Sequence, residues 1–138
     1  MPTTIDFATL LVRLVVGAIF VAQGYIKLVR PPEAPHGRGN LETMIRSRGL
    51  ARPHELALLV STLELACGAA VALGLVTRFA VIPLAVILVV AIVGFKFRSG
   101  FVGGWDWPLS VLTLLVVIGL LGAGAWSLDA ALGLSWKS

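Results

Sequence analysis

The chain has 138 residues, of which 58% are hydrophobic and only 13% charged. A soluble domain of ordinary composition, with about 45–50% apolar and about 25% charged residues, is excluded by that balance, and the solvent it implies is lipid. The formal charge of +4 does not imply nucleic acid, because the basic residues lie mostly at the edges of apolar runs, where topology and anionic lipid account for them.

A spanning helix needs roughly 20 mostly apolar residues at about 1.5 Å of rise each, so the chain has room for about four spans and little else. The expected fold class is therefore all-α: a single integral membrane domain over residues 1–138, a bundle of four transmembrane helices.

The first span is expected at about 7–29, FATLLVRLVVGAIFVAQGYIKLV, and it ends before Arg30, Pro31 and Pro32, where prolines remove donors and stop a helix. No Lys or Arg precedes it and Arg13 lies inside it, a pattern that reads as a retained span rather than a cleaved signal peptide. PPEAPHGRGN is a loop, and LETMIRSRGL suits a short interfacial helix capped by Asn40 and ended near Gly49.

Pro53 and His54 open the second span, about 55–76, and Thr77 with Arg78 are expected to form the tight turn of a hairpin into the third, about 79–97, with Pro83 in its first turn. FRSGFVGGWDW reads as a Gly-rich loop, and the fourth span, about 108–123, holds no ionisable residue. Ser127 can cap a short final helix, with Asp129 near its positive end. Trp105, Trp107, Trp126 and Trp136 fall at span ends, as an aromatic belt does.

Lys27, Arg30, Arg38, Arg46, Arg48, Arg52, Lys96 and Arg98 fall in or beside the first and third loops, against Arg78 and Lys137 on the other side. The positive-inside rule then puts those loops in the cytoplasm and both termini outside.

Ionisable residues inside spans are where function is sought first. Glu64 lies near the middle of the second span, where a charge costs roughly 2.5–3.5 kcal/mol on an insertion scale. Arg13, Gly17, Phe20, Gly24 and Lys27 follow one stripe of the first span, and Ser61, Glu64 and Gly68 answer it on the second. Gly17, Gly24 and Gly68 are the expected helix-packing positions.

Counted from mid-span, Gln23 is about 6 Å, Arg13 about 9 Å and Lys27 about 12 Å from the depth of Glu64. Side chains lean toward their own helix N-terminus, so Glu64 and Lys27 lean together while Arg13 leans away toward Asp129. The candidate intramembrane pocket is thus Arg13, Gln23, Lys27 and Glu64, with Gln23 and Lys27 the better partners of Glu64. Such a cluster serves either a proton, a quinone head group or small polar ligand, or the structural joining of helices, and the sequence admits both.

No metal site is expected: His36 and His54 lie outside the span centres and lack zinc-site spacing, and two facing axial imidazoles cannot come from this chain. Cys67, the single cysteine, reads as packing. Asp106 can cap the fourth span, with Ser110 and Thr113 a weaker candidate wall of the pocket.

RLVVGAIFVAQGYIKL, ELACGAAVALGLVTR, DWPLSVLTLL and GAGAWSLD, in that order, resemble the DoxX family of small bacterial membrane proteins. The resemblance rests on Arg13, Gly17, Phe20, Gly24 and Lys27, on Glu64, Gly68, Gly74, Thr77 and Arg78, on Asp106, Trp107 and Pro108, and on Gly122, Gly124, Ser127, Leu128 and Asp129. It implies a four-helix protein of the bacterial cytoplasmic membrane with a link to respiratory or redox complexes. Such a protein has no catalytic residue of its own to assign and no cofactor within the chain. It would be an accessory or anchoring subunit of a quinone-linked oxidoreductase, with a quinone at a site shared with a protein partner or in a further oligomer. A non-enzymatic scaffold or assembly factor is the alternative, and a small-molecule or proton carrier the third, since no inverted repeat or broken helix is visible.

Overall fold

The structure is a computed structural model that describes residues 2–134. Trp136 of the expected aromatic belt and Lys137 of the charge count lie outside the described residues. Among the described residues four helices are long and apolar enough to cross a membrane, Thr4–Val29, Pro53–Leu73, Thr77–Ser99 and Phe101–Leu121. The protein is all-helical and multi-pass.

Helix α1 (Thr4–Val29) begins one turn earlier than its apolar run, because Thr3 and Asp6 form a reciprocal capping box. The interfacial α2 (Arg38–Ser47) is capped at Gly37 rather than at Asn40, which lies inside its first turn. Gly49, in the left-handed region at φ +73°, turns the chain away just beyond it.

Helix α3 (Pro53–Leu73) ends before the expected residue 76, because Gly74 adopts φ +71° and closes the helix through bonds back to Ala70 and Val71. The turn is therefore Gly74 to Val76, and Thr77 and Arg78 are instead the first residues of α4 (Thr77–Ala91). An acidic group explains the shift: the Asp129 carboxylate accepts from the Val76 N–H (2.6 Å) and the Thr77 N–H (3.0 Å) and so starts the helix there. Pro83 consequently lies inside α4, past the first turn, where the Phe79 carbonyl forgoes its usual donor.

The expected Gly-rich loop is present as a short, kinked connection. A π turn (Ile92–Lys96) and a 3-10 turn (Phe97–Ser99) extend α4, and the chain then breaks at Gly100 (φ +83°) and at Val102 and Gly103, both outside helical φ/ψ, before α5 (Asp106–Leu121) begins. Trp105 packs between Phe97 and Phe101, with ring centroids at 6.2 and 4.6 Å. Gly122, at φ +81°, ends α5 two residues short of the expected limit, and α6 (Leu128–Ala131) carries the Ser127 cap the sequence predicts.

Helices α1 and α3 pack antiparallel at backbone contact. A Cβ on Gly17 would lie 2.5 Å from the Ala72 Cβ, and one on Gly24 would lie 2.6 Å from the Leu65 amide nitrogen, so only glycine permits this approach. Val16, Phe20, Val71, Leu84, Leu115 and Ile118 form the core shared by α1, α3, α4 and α5. Phe79, Val93 and Leu120 are more than two-thirds exposed, the outward apolar surface that a bilayer solvates.

Candidate functional site

Two turns of side-chain lean decide which charges meet. Because α1 and α3 are antiparallel, Lys27 reaches deeper and Glu64 reaches toward the loop end, and the Lys27 ammonium donates to Glu64 Oε2 at 2.7 Å. The side chains are 17% and 7% exposed, so the pair is sheltered but not sealed. Gln23, one turn before Lys27, lines the same cavity. Ser61, fully buried on the turn before Glu64, bonds its own helix at Ala57.

Arg13 is not part of this cluster, which corrects the expected four-residue pocket. It lies fourteen residues before Lys27 on α1, about 21 Å along the axis, and its side chain points to the opposite end. There its Nε donates to the Val71 carbonyl and its terminal nitrogens to Ala72, Trp126 and Ala123. The last carbonyls of α3 carry the negative end of its dipole, so a buried guanidinium is their natural partner. Asp129 lies at the same end but makes no ion pair with Arg13 among the described residues, since its oxygens are bound to the α4 amides. Asp6 completes this end by accepting from the Ala125 N–H at 2.9 Å.

At the loop end the helices part. Away from the tight α3–α4 turn they flank a half-open cavity of about 790 Å³, with α2 at its loop end. Leu59, Leu63, Val86 and Val90 supply its apolar walls, and Gln23, Lys27, Glu64, His36, Asn40 and Lys96 its polar points. A mostly apolar space with a few converging polar groups is the usual form of a small-molecule site. The Lys27 ammonium has three N–H donors and gives one to Glu64, so hydrogen-bonding capacity remains beside the cavity.

Ser110 and Thr113 do not wall this cavity: both are exposed on the outer face of α5 and bond their own helix at Asp106 and Leu109. Trp107 and Pro108 take that place, so Trp107 serves the site as well as the belt. The Asp106 carboxylate accepts from the Gly103 and Trp107 amides and holds the start of α5. His54 bonds Glu42 across 2.9 Å at the α2–α3 junction. The contributions of His36, Asn40, Lys96 and Trp107 were not legible in the sequence, because they depend on how far the helices splay and not on the pattern along any one of them.

Among the described residues no three His, Cys, Asp or Glu side chains converge as metal ligands. Lys27 and Gln23 place hydrogen-bond donors beside the apolar walls of the cavity.

The family model described as DoxX matches residues 8–97. The chain is 34% identical to the "Uncharacterized membrane protein Rv3486" of Mycobacterium tuberculosis, over 88% of this chain and 78% of that protein. It is 28% identical to the "Putative oxidoreductase CatD" of Bacillus subtilis, over 94% of this chain and 90% of that one. No solved structure matches it.

Proposed function

The chain belongs to the DoxX family of membrane proteins, and from that premise we propose that it is an accessory or anchoring subunit of a quinone-linked oxidoreductase or redox-stress complex. The observation that carries this reading is the 790 Å³ apolar cavity beside the Lys27–Glu64 pair. The name of the Bacillus relative, a putative oxidoreductase, supports the redox setting.

In this reading the chain binds and orients a lipid-soluble quinone, and the electrons come from a partner enzyme. Lys27 holds a carbonyl oxygen of the head group, Gln23 offers a second donor, and the leucine and valine walls of α3 and α4 take the tail. Glu64 neutralises Lys27 and fixes the direction of its ammonium. The protein lies in the bacterial cytoplasmic membrane with the basic end in the cytoplasm, in keeping with the charge asymmetry of its loops.

Purification from native membranes in a mild detergent, with mass spectrometry of co-purifying proteins and extracted lipids, tests the proposal. A redox enzyme and a quinone are the expected companions, and their joint absence would overturn it. A scaffold that needs no ligand would tolerate removal of the Lys27–Glu64 pair with its assembly intact.

A further inference from the structure

The cavity at the loop end is not closed on all sides. Leu59, Val86 and Val90 line it and are each more than half exposed, so between α3 and α4 it opens sideways, at the level of the spans. An apolar opening at that level is solvated by the bilayer.

The charge around this opening is uneven. Four ionisable side chains line the cavity, Lys27, His36, Glu64 and Lys96. Lys27 and Glu64 meet at 2.7 Å, whereas the half-buried Lys96 makes no ion pair among the described residues. Beside it, the Arg48 guanidinium at the end of α2 lies 5.5 Å from the centroid of Phe95, also a cavity residue. Arg48 likewise has no carboxylate partner among the described residues. The acids of this end do not neutralise the two cations: Glu42 meets Arg38 and His54, Glu55 meets Arg52, and Asp106 accepts from amides at the start of α5. Glu33, in the first loop, is within ion-pair distance of neither. Two positive charges therefore stand uncompensated on the α4 side of an apolar slot.

Depth places them where a lipid head lies. Lys96 is three residues before the end of its span, Thr77–Ser99, close to the membrane surface. Val90 and Val86 precede it by about 9 and about 15 Å along the helix. A phosphate at Lys96 would leave an acyl chain running inward over Val90 and Val86.

We propose that the α4 side of the cavity is a binding site for an anionic phospholipid, its phosphate held by Lys96 and Arg48 and one acyl chain lying in the slot between Leu59 and Val86. Basic pockets between spanning helices take anionic head groups in this way, with charge at the rim and apolar contact below it. A zwitterionic lipid brings its own cation to the same rim and gains less. The site uses neither Lys27 nor Glu64, so it stands or falls apart from the quinone reading above.

The test reconstitutes the full chain, without quinone, in nanodiscs of phosphatidylcholine with a minor share of phosphatidylglycerol, and counts the lipids retained by native mass spectrometry. Phosphatidylglycerol should be enriched about tenfold over its bulk ratio, since each cation near the surface contributes up to about fivefold. Lys96→Gln with Arg48→Gln should return the ratio to the bulk value at unchanged Tm. Arg30→Gln with Arg46→Gln removes the same charge from the same end but outside the cavity lining, and should preserve the enrichment. Val90→Phe narrows the slot without touching charge and should lower retention of both lipids. Equal retention of the two lipids by the native chain, a loss in the Arg30 and Arg46 control as large as in the Lys96 and Arg48 pair, or retention that Val90→Phe leaves intact would overturn the proposal. Displacement of the lipid by inorganic phosphate would mark a site for the free ion and overturn it as well.

Discussion

The two ends of the bundle use buried charge in opposite ways. At the end where α3 turns into α4, Arg13 gives its donors to four backbone carbonyls and Asp129 gives its oxygens to two backbone amides. Both side chains have closed the chain's own unsatisfied groups and offer little to a ligand. At the other end Lys27 and Glu64 meet each other, side chain to side chain, beside an open apolar space. A buried charge bound to backbone holds the fold, and a buried pair facing a cavity keeps capacity for something else.

Substitutions can break this contrast, and Arg13→Met should have the largest effect. Two carbonyls at the end of α3 and two in the segment 122–127 between α5 and α6 lose the guanidinium, with an expected cost of about 3 kcal/mol or more. Unfolding in mixed micelles should show it, and Arg13→Lys should not restore it, because an ammonium lacks the planar fork.

Next comes the α1–α3 seam, where Gly17→Ala and Gly24→Ala should each cost about 1–3 kcal/mol by overpacking. Gly17 lies toward the closed end and Gly24 beside Lys27, so Gly24→Ala should also weaken ligand retention beyond what its stability loss explains.

Asp129→Asn removes a charged cap from the start of α4 and should cost about 1 kcal/mol, read as a lower Tm in detergent. Thr113→Ala should be the smallest, within about 0.5 kcal/mol, because the hydroxyl faces outward and bonds only its own helix.

Much of this was legible in the sequence, for reasons that separate by scale. The stripe from Arg13 to Lys27 has helical spacing, so its inward face followed from periodicity, and the meeting of Lys27 with Glu64 followed from side-chain lean in an antiparallel pair. Arg13 could not be placed with its partners, because they are backbone carbonyls of residues 71, 72, 123 and 126, which carry no sequence signature. The α3–α4 turn was set two residues late because its position depends on Asp129, some fifty residues downstream. The cavity was not legible, since its volume arises from the divergence of α3 and α4 and from the seating of α2 across them.

The most direct test removes the Lys27–Glu64 pair as a unit. Lys27→Met with Glu64→Gln leaves no buried charge unpaired, so stability should hold within about 1 kcal/mol, and the double variant can be compared with the native chain for quinone retained after purification in mild detergent. Near-stoichiometric quinone in the native chain, lost in a double variant of unchanged Tm, is the predicted result. Equal retention in both, or loss only in parallel with unfolding, would contradict a functional site at the open end.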